Sequence, residues 1–267
     1  MLGYIRGERY SFAVDAGNSR RHVEKFYAAL DAAELRRPDF TVLTHWHWDH
    51  TFGLHAVDGA AIACEATNEM LCRASRWKWS EEAMRERLRT GEEIEFCDKH
   101  IRAEYPDRKE ISVVPAGLVF HGRLSIDLGG VHCVLLQTEA PHERDCVLVH
   151  VPEQGILFAG DADCGDFYSL DGGYDKARLK RYLASVEAME FKLYVPGHGA
   201  PERKTETASV SERKRRPSGA LPPGRGACRV AFRRCRPRED ARRGGAEAAP
   251  AHPRTGACGL CGPRQCV

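Results

Sequence analysis

The sequence predicts an α/β fold, and three observations carry that expectation. Short β-prone runs recur along most of the chain. Two amphipathic helical stretches interrupt them. A dense cluster of histidines and an aspartate directly follows one of the runs, and α/β folds place their chemistry at such strand ends.

In chain order, residues 12–15 read as a first strand, after which Ser19 can cap a helix. In that helix Val23, Phe26, Tyr27 and Leu30 recur at i, i+3, i+4 and i+7, the spacing of one buried face. Residues 40–44 form the strand that delivers the cluster. Strands are also expected at 61–64, 113–114, 124–128, 131–137, 146–151, 156–158 and 193–195, with Gly129-Gly130 as a hairpin turn. Between 65 and 112 lies a helical insertion. Within it Ser80 caps a helix that runs to Thr90, with Glu81 and Glu82 in its first turn and Gly91 at its end. Trp77 and Trp79 of the insertion are read either as a wall of a substrate cleft or as its packing against the body of the fold. Asp175 caps a second amphipathic helix carrying Leu179, Tyr182, Leu183 and Val186.

The chain has 267 residues, 42% of them hydrophobic, enough for a single buried core. No apolar run approaches the roughly 18 residues of a membrane span, and Met1-Leu2-Gly3-Tyr4-Ile5-Arg6 lacks a signal peptide's apolar centre. A cytoplasmic location is the expectation. Cys64, Cys72, Cys97, Cys133, Cys146 and Cys164 show no framework spacing and are expected as reduced thiols.

Charge divides the chain. Residues 1–202 carry 24 Lys and Arg against 33 Asp and Glu, and residues 203–267 carry 16 against 5. The first part is the expected domain. In the second, hydrophobic periodicity gives way to Arg, Pro, Gly, Ala and Cys, a composition expected to be disordered. Three readings of this stretch are open: a basic arm for nucleic acid or another anionic surface, half a zinc knuckle at Cys258, Cys261 and Cys266, or a reading frame shifted after His198. The last is favoured, because such a mixture is what GC-rich DNA encodes out of frame.

The cluster itself is Thr44-His45-Trp46-His47-Trp48-Asp49-His50. Neutral imidazoles and a carboxylate so close together suit zinc, and a turn lets alternate side chains converge while Trp46 and Trp48 point away into packing. Four more residues stand where further ligands or supports are wanted. Asp15 ends the first strand, His142 follows Pro141 before an apolar strand, Asp161 follows the strand at 156–158, and His198 sits between two glycines that permit a sharp turn. Taken singly, each also reads as an ordinary loop histidine, turn acid or cap.

Taken in order, the motifs at Asp15, His45-x-His47-x-Asp49-His50, Pro141-His142, Gly160-Asp161 and Gly197-His198-Gly199 resemble those of the metallo-β-lactamase-fold hydrolases. The resemblance spans about residues 2–202. It implies a four-layer αββα sandwich holding two zinc ions, with iron or manganese as lesser alternatives. One zinc would be held by His45, His47 and His142, and the other by Asp49, His50 and His198, with Asp161 bridging. Asp49 would also orient a metal-bridging hydroxide, and Asp15 would fix a ligand from behind. In two respects the chain departs from the family: the opening hairpin before Asp15 is short, and Glu143-Arg144-Asp145 follows His142 where many relatives have Thr. Those three residues are read as lining the cleft or as a solvated turn.

The implied activity is hydrolysis of an ester, thioester, lactone or phosphodiester in a small-molecule substrate, with no membrane partner. A true β-lactamase is disfavoured because such relatives generally lack an aspartate at the position of Asp161. Diiron oxygen reductases of this fold carry Glu where His47 stands, which favours zinc. The alternatives are a glyoxalase II-like thioesterase, an iron sulfur dioxygenase, or a nuclease whose basic tail binds nucleic acid.

Overall fold

The computed structural model describes residues 1–169 and 173–204. The expectations for the basic stretch beyond Lys204 lie outside the described residues. No helix among the described residues is long and apolar enough to cross a membrane, and no disulfide joins Cys64, Cys72, Cys97, Cys133, Cys146 and Cys164 to one another.

Two sheets form the centre. The first is built in sequence order from β1 (Gly3–Arg6), β2 (Ser11–Val14), β3 (Phe40–Val42), β4 (Ala60–Cys64) and β5 (Leu118–Phe120). The second takes β6 (Arg123–Asp127), β7 (His132–Thr138), β8 (Cys146–Val151), β9 (Ile156–Gly160), β10 (Leu193–Pro196) and β11 (Glu202–Arg203), running in reverse order from β11 to β6. The first sheet is parallel apart from the β1–β2 hairpin, and the second is antiparallel apart from the β9–β10 pair. Parallel neighbours need crossovers. Helix α1 (Arg20–Ala32) joins β2 to β3, and a second crossover helix, Lys176–Glu187, joins β9 to β10.

The layers follow from which side chains each face buries. Phe12, Val14, Val42 and Ile62 of the first sheet meet Leu135, Val147 and Val149 of the second in one core between the sheets. On the outer face of the first sheet, Val23, Phe26, Tyr27 and Leu30 of α1 pack on Leu2 and Ala13. On the outer face of the second, Tyr182 packs with Leu148, Leu157 and Tyr194. The result is the expected αββα sandwich. Ser19 and Asp175 cap their helices as expected, each side chain accepting from first-turn backbone N–H groups. Gly129 and Gly130 both take positive φ in the β6–β7 turn.

The region 65–112 is helical, with α2 (Trp48–Thr51) before it and three further helices within it: α3 (Glu65–Ala74), α4 (Glu81–Thr90) and α5 (Glu95–Glu104). Ser80 caps α4 through the Ala83 N–H, and Gly91 ends it at φ 74°. Only this middle helix is expected from the sequence, because α3 and α5 are preceded by Cys64 and Ile94, whose side chains make no cap. The crossover helix Lys176–Glu187 is thus α6. The strand expected at 113–114 is absent. Val113 packs instead among Leu71, Ile101 and Tyr105, and the edge strand β5 starts only beyond Pro115, whose missing N–H suits a break rather than a ladder.

Leu135 is fully buried between the sheets. Leu135→Ala is expected to cost about 2–5 kcal/mol, read as a lower denaturant midpoint with an unchanged slope.

Candidate metal centre

The strand ends decide where the chemistry lies. Asp15 follows β2, the loop from Leu43 to α2 follows β3, Asp161 follows β9, and Gly197-His198 follows β10, while His142 precedes β8. All five motifs meet at one end of the sandwich.

Asp15 is held at φ 65°, a left-handed conformation uncommon outside glycine but tolerated by aspartate. From there its carboxylate accepts from the Thr44 backbone N–H at 2.7 Å, from the Thr44 hydroxyl at 2.9 Å and from His50 Nδ1 at 2.7 Å. Donation from Nδ1 fixes the ring so that His50 Nε2 is aimed into the site. His142 is oriented the same way, its Nδ1 donating to the Gly165 carbonyl at 2.8 Å. Its Nε2 faces His47 Nδ1 at 2.9 Å, and His45 Nε2 faces the same atom at 3.1 Å. Glycine makes room for the rest. A Cβ on Gly197 would sit 2.1 Å from Asp161 Oδ1 and 2.9 Å from the His50 ring, and one on Gly160 would strike Thr44 Oγ1 at 2.5 Å.

Two groups of ligand atoms result. His45, His47 and His142 form one, all buried, and Asp49, His50, Asp161 and His198 form the other, with the ligand atoms of each group within 4.8 Å of one another. His198 Nε2 lies 3.0 Å from Asp49 Oδ2 and 3.2 Å from Asp161 Oδ2. His142 Nε2 lies 3.9 Å from Asp161 Oδ2, so this carboxylate faces both groups. All seven expected ligands are therefore brought together, and Asp15 stands behind two of the elements that carry them.

The electrostatics differ between the groups. Burial holds His45 well below the usual imidazole range and His47 down to about 3, so these two rings present neutral lone pairs. In the second group burial also works against the charge on His50, but the Asp15, Asp161 and Asp49 carboxylates outweigh it and raise its pKa. Hydrogen bonds to Asp161 and Asp49 lift His198 to about 9. Against the opposing effect of their own burial, Asp49 and Asp161 are held low by His50 and His198.

The donor set fits divalent metal. His50 Nε2 and Asp161 Oδ1 are buried and 3.4 Å apart without forming a hydrogen bond, and His47 Nε2 is likewise buried without a partner. Without a metal the second group balances two carboxylates with two protonated imidazoles, and a divalent cation carries the same charge as the two protons it would displace. Imidazole and carboxylate together suit zinc.

Asp145 was not foreseen in the role it has. It neither lines the cleft nor sits in a solvated turn: it is 3% exposed. Its Oδ2 accepts from the Trp46 N–H at 2.9 Å and the Thr67 hydroxyl at 2.8 Å, so it pins the backbone between His45 and His47. Burial raises its pKa to about 7. Arg144 beside it is exposed, and Glu143 is half-buried. The one signal in the sequence was an acid three residues after His142, immediately before an apolar strand. The two tryptophans of the insertion are packing residues. The Arg87 guanidinium lies 4.8 and 4.9 Å from the ring centroids of Trp77 and Trp79, which meet each other edge-on at 5.8 Å, and Trp79 meets Phe52 edge-on at 5.2 Å. Trp48 also packs on Phe52, at 6.2 Å. Trp46 stays close to the site, with its ring 4.8 Å from that of His47.

Asp15→Ala would leave the buried donors of Thr44 and His50 unmet, and a loss of about 3–5 kcal/mol in unfolding free energy is expected. Gly197→Ala is expected to displace Asp161 and His50 and to lower metal retention after dialysis by at least about tenfold, with the far-ultraviolet spectrum unchanged.

Comparison with known proteins agrees with the fold. A metallo-β-lactamase from Pontibacter korlensis superposes with a TM-score of 0.54 at 17% identity, covering 79% of this chain and 83% of that one. A metallo-β-lactamase family protein from Thermus thermophilus superposes with a TM-score of 0.56 at 18% identity, covering 80% and 72%. In sequence, the human acyl-coenzyme A thioesterase MBLAC2 is 25% identical over 69% of this chain, and the chain spans 65% of that protein's length. The family model of the metallo-β-lactamase superfamily matches residues 3–224, and the chain belongs to that superfamily.

Proposed function

We propose that this protein is a two-zinc hydrolase of acyl thioesters. The observation that carries the two-metal part is the position of Asp161, whose carboxylate faces His142 of one ligand group and His198 of the other. The substrate class rests on the similarity to the human acyl-coenzyme A thioesterase. The net reaction adds water across the thioester, giving a carboxylate and a free thiol.

When bound, a pair of zinc ions supplies Lewis acidity and a water acidic enough to act as nucleophile near neutral pH. The chain's own residues do the rest. Asp15 and the Gly165 carbonyl hold protons on the Nδ1 atoms of His50 and His142, so that both Nε2 atoms stay available as ligands. Asp145 and Thr44 fix the backbone that carries His45 and His47. Asp49, partly open to solvent beside His198, is placed to accept a hydrogen bond from a bound water and orient it. No protein nucleophile is called for.

Metal analysis of the purified protein is expected to find close to two zinc ions per chain, with Asp49→Ala and His198→Ala each losing mainly one. A single iron would instead favour sulfur dioxygenase chemistry. Asp161→Asn keeps the shape and removes the charge, and a fall in turnover of at least about a hundredfold is expected. Turnover of acyl-coenzyme A, measured beside p-nitrophenyl esters, a lactone and a phosphodiester, tests the substrate class; hydrolysis of the phosphodiester alone would sink the thioester reading.

Metal affinity also has a predictable pH dependence. His198 and His50 are raised, so each keeps its proton at neutral pH without metal and must lose it to bind one. Zinc affinity, measured by chelator competition, is therefore expected to climb as pH rises toward about 9. The slope should be shallower in His198→Ala.

A further inference from the structure

One side of the metal centre's mouth carries aromatic surface that nothing among the described residues covers. Phe96, in the first turn of α5, is 50% exposed, and Phe167, in the loop after Asp161, is 44% exposed. The two rings stack with centroids 6.4 Å apart and planes 19° apart. Phe167 also meets the His142 ring edge-on at 5.9 Å, and Phe96 lies 4.2 Å from the ring of His100 one turn along α5. A continuous aromatic strip therefore starts at a candidate metal ligand and runs outward over the helical insertion.

The strip is built, not left over from a loose loop. Cys164 N–H donates to the Asp161 carbonyl at 2.7 Å, and the Gly165 carbonyl accepts from His142. Asp166 Oδ1 accepts from the N–H groups of Tyr168 and Ser169 at 3.0 and 3.1 Å. Tyr168 turns inward, its hydroxyl donating to Glu93 Oε1 at 2.9 Å. That anchoring leaves Phe167 facing out beside the site. Rigidly held apolar surface next to a polar reaction centre is the signature of a ligand contact rather than of packing. Neither phenyl ring offers a hydrogen bond, so the surface suits a hydrocarbon chain. Of the two arms of an acyl-coenzyme A thioester, only the acyl arm is hydrocarbon; the thiol carrier is studded with amides and phosphates.

We propose that Phe96 and Phe167 form the acyl-chain subsite, seating a medium or long aliphatic chain along the strip while its carboxyl end reaches the metal centre. This rests on the thioester reading for which arm is bound, and on the geometry alone for the apolar character of the ligand. A chain lying on one face of the strip gains from each methylene, so wild type should prefer octanoyl- over acetyl-coenzyme A by about tenfold or more in kcat/KM.

The test compares zinc-loaded wild type, Phe96→Ala and Phe167→Ala across acetyl-, butyryl-, octanoyl- and decanoyl-coenzyme A, alongside calorimetric binding of decanoate to the same proteins. The expected result is that the octanoyl-to-acetyl ratio of kcat/KM falls below about threefold in both variants. An unchanged ratio in variants that retain their zinc overturns the proposal. Should Phe167→Ala lose its zinc, Phe167→Gln takes its place, keeping bulk while removing the apolar face. If wild type hydrolyses no thioester, the thioester reading falls and decanoate decides the subsite. Weaker decanoate binding in the variants upholds the strip, whereas equal or absent binding overturns it.

Discussion

The structure depends first on the carboxylate of Asp15. It takes three hydrogen bonds from two segments, the Thr44 backbone and hydroxyl after β3 and the His50 ring in α2. Without it the histidine-rich loop has no fixed path between the first sheet and the site, and His50 has no reason to present Nε2 inward. The positive φ of Asp15 is the conformational cost of reaching both from the end of β2. A buried carboxylate sustains it because every alternative leaves buried donors unmet.

Around that brace, the two ligand groups are made unequal by their surroundings. In the all-histidine group, burial outweighs the more distant carboxylates and holds His45 and His47 neutral, which pre-forms a pair of lone-pair donors. Two imidazoles among carboxylates are forced positive, and the second group stores its vacant charge as protons. Like surroundings would have given two equivalent sites. Instead His45 and His47 offer lone pairs without losing a proton, whereas His50 and His198 must exchange protons for metal. Asp161 couples them because Gly197, lacking a side chain, lets its carboxylate lie against the β10 loop.

The helical insertion contributes in two ways. Its Trp77 and Trp79 close over Arg87 and Phe52 and so fasten α4 to the body of the fold. Its α5 brings Phe96 to the rim, and Glu93, just ahead of α5, meets the hydroxyl of Tyr168, joining the insertion to the loop that follows Asp161. Contact between these two segments, distant in the chain, shapes the mouth of the site.

Much of this was legible in the sequence, for identifiable reasons. The ligands sit at strand ends or between small residues, and the resemblance of their ordered motifs to those of the metallo-β-lactamase fold singled out His45, His47, Asp49, His50, His142, Asp161 and His198. Helices α1, α4 and α6 announced themselves through Ser19, Ser80 and Asp175, because a capping side chain acts on its own neighbours. Helices α3 and α5 have no such signal, and the short edge strands β1, β5 and β11 owe their existence to pairing rather than to propensity. Phe96 and Phe167 were equally silent, and Asp145 gave only its place after His142. Whether an acid beside an arginine is buried, or whether a phenylalanine faces water, depends on which distant segment packs against it. Local chemistry, caps, turns and ligand types, was thus determined by the sequence itself, whereas burial, the pKa values that follow from it and the aromatic rim were decided only by tertiary contact, since each is a property of neighbours far away along the chain.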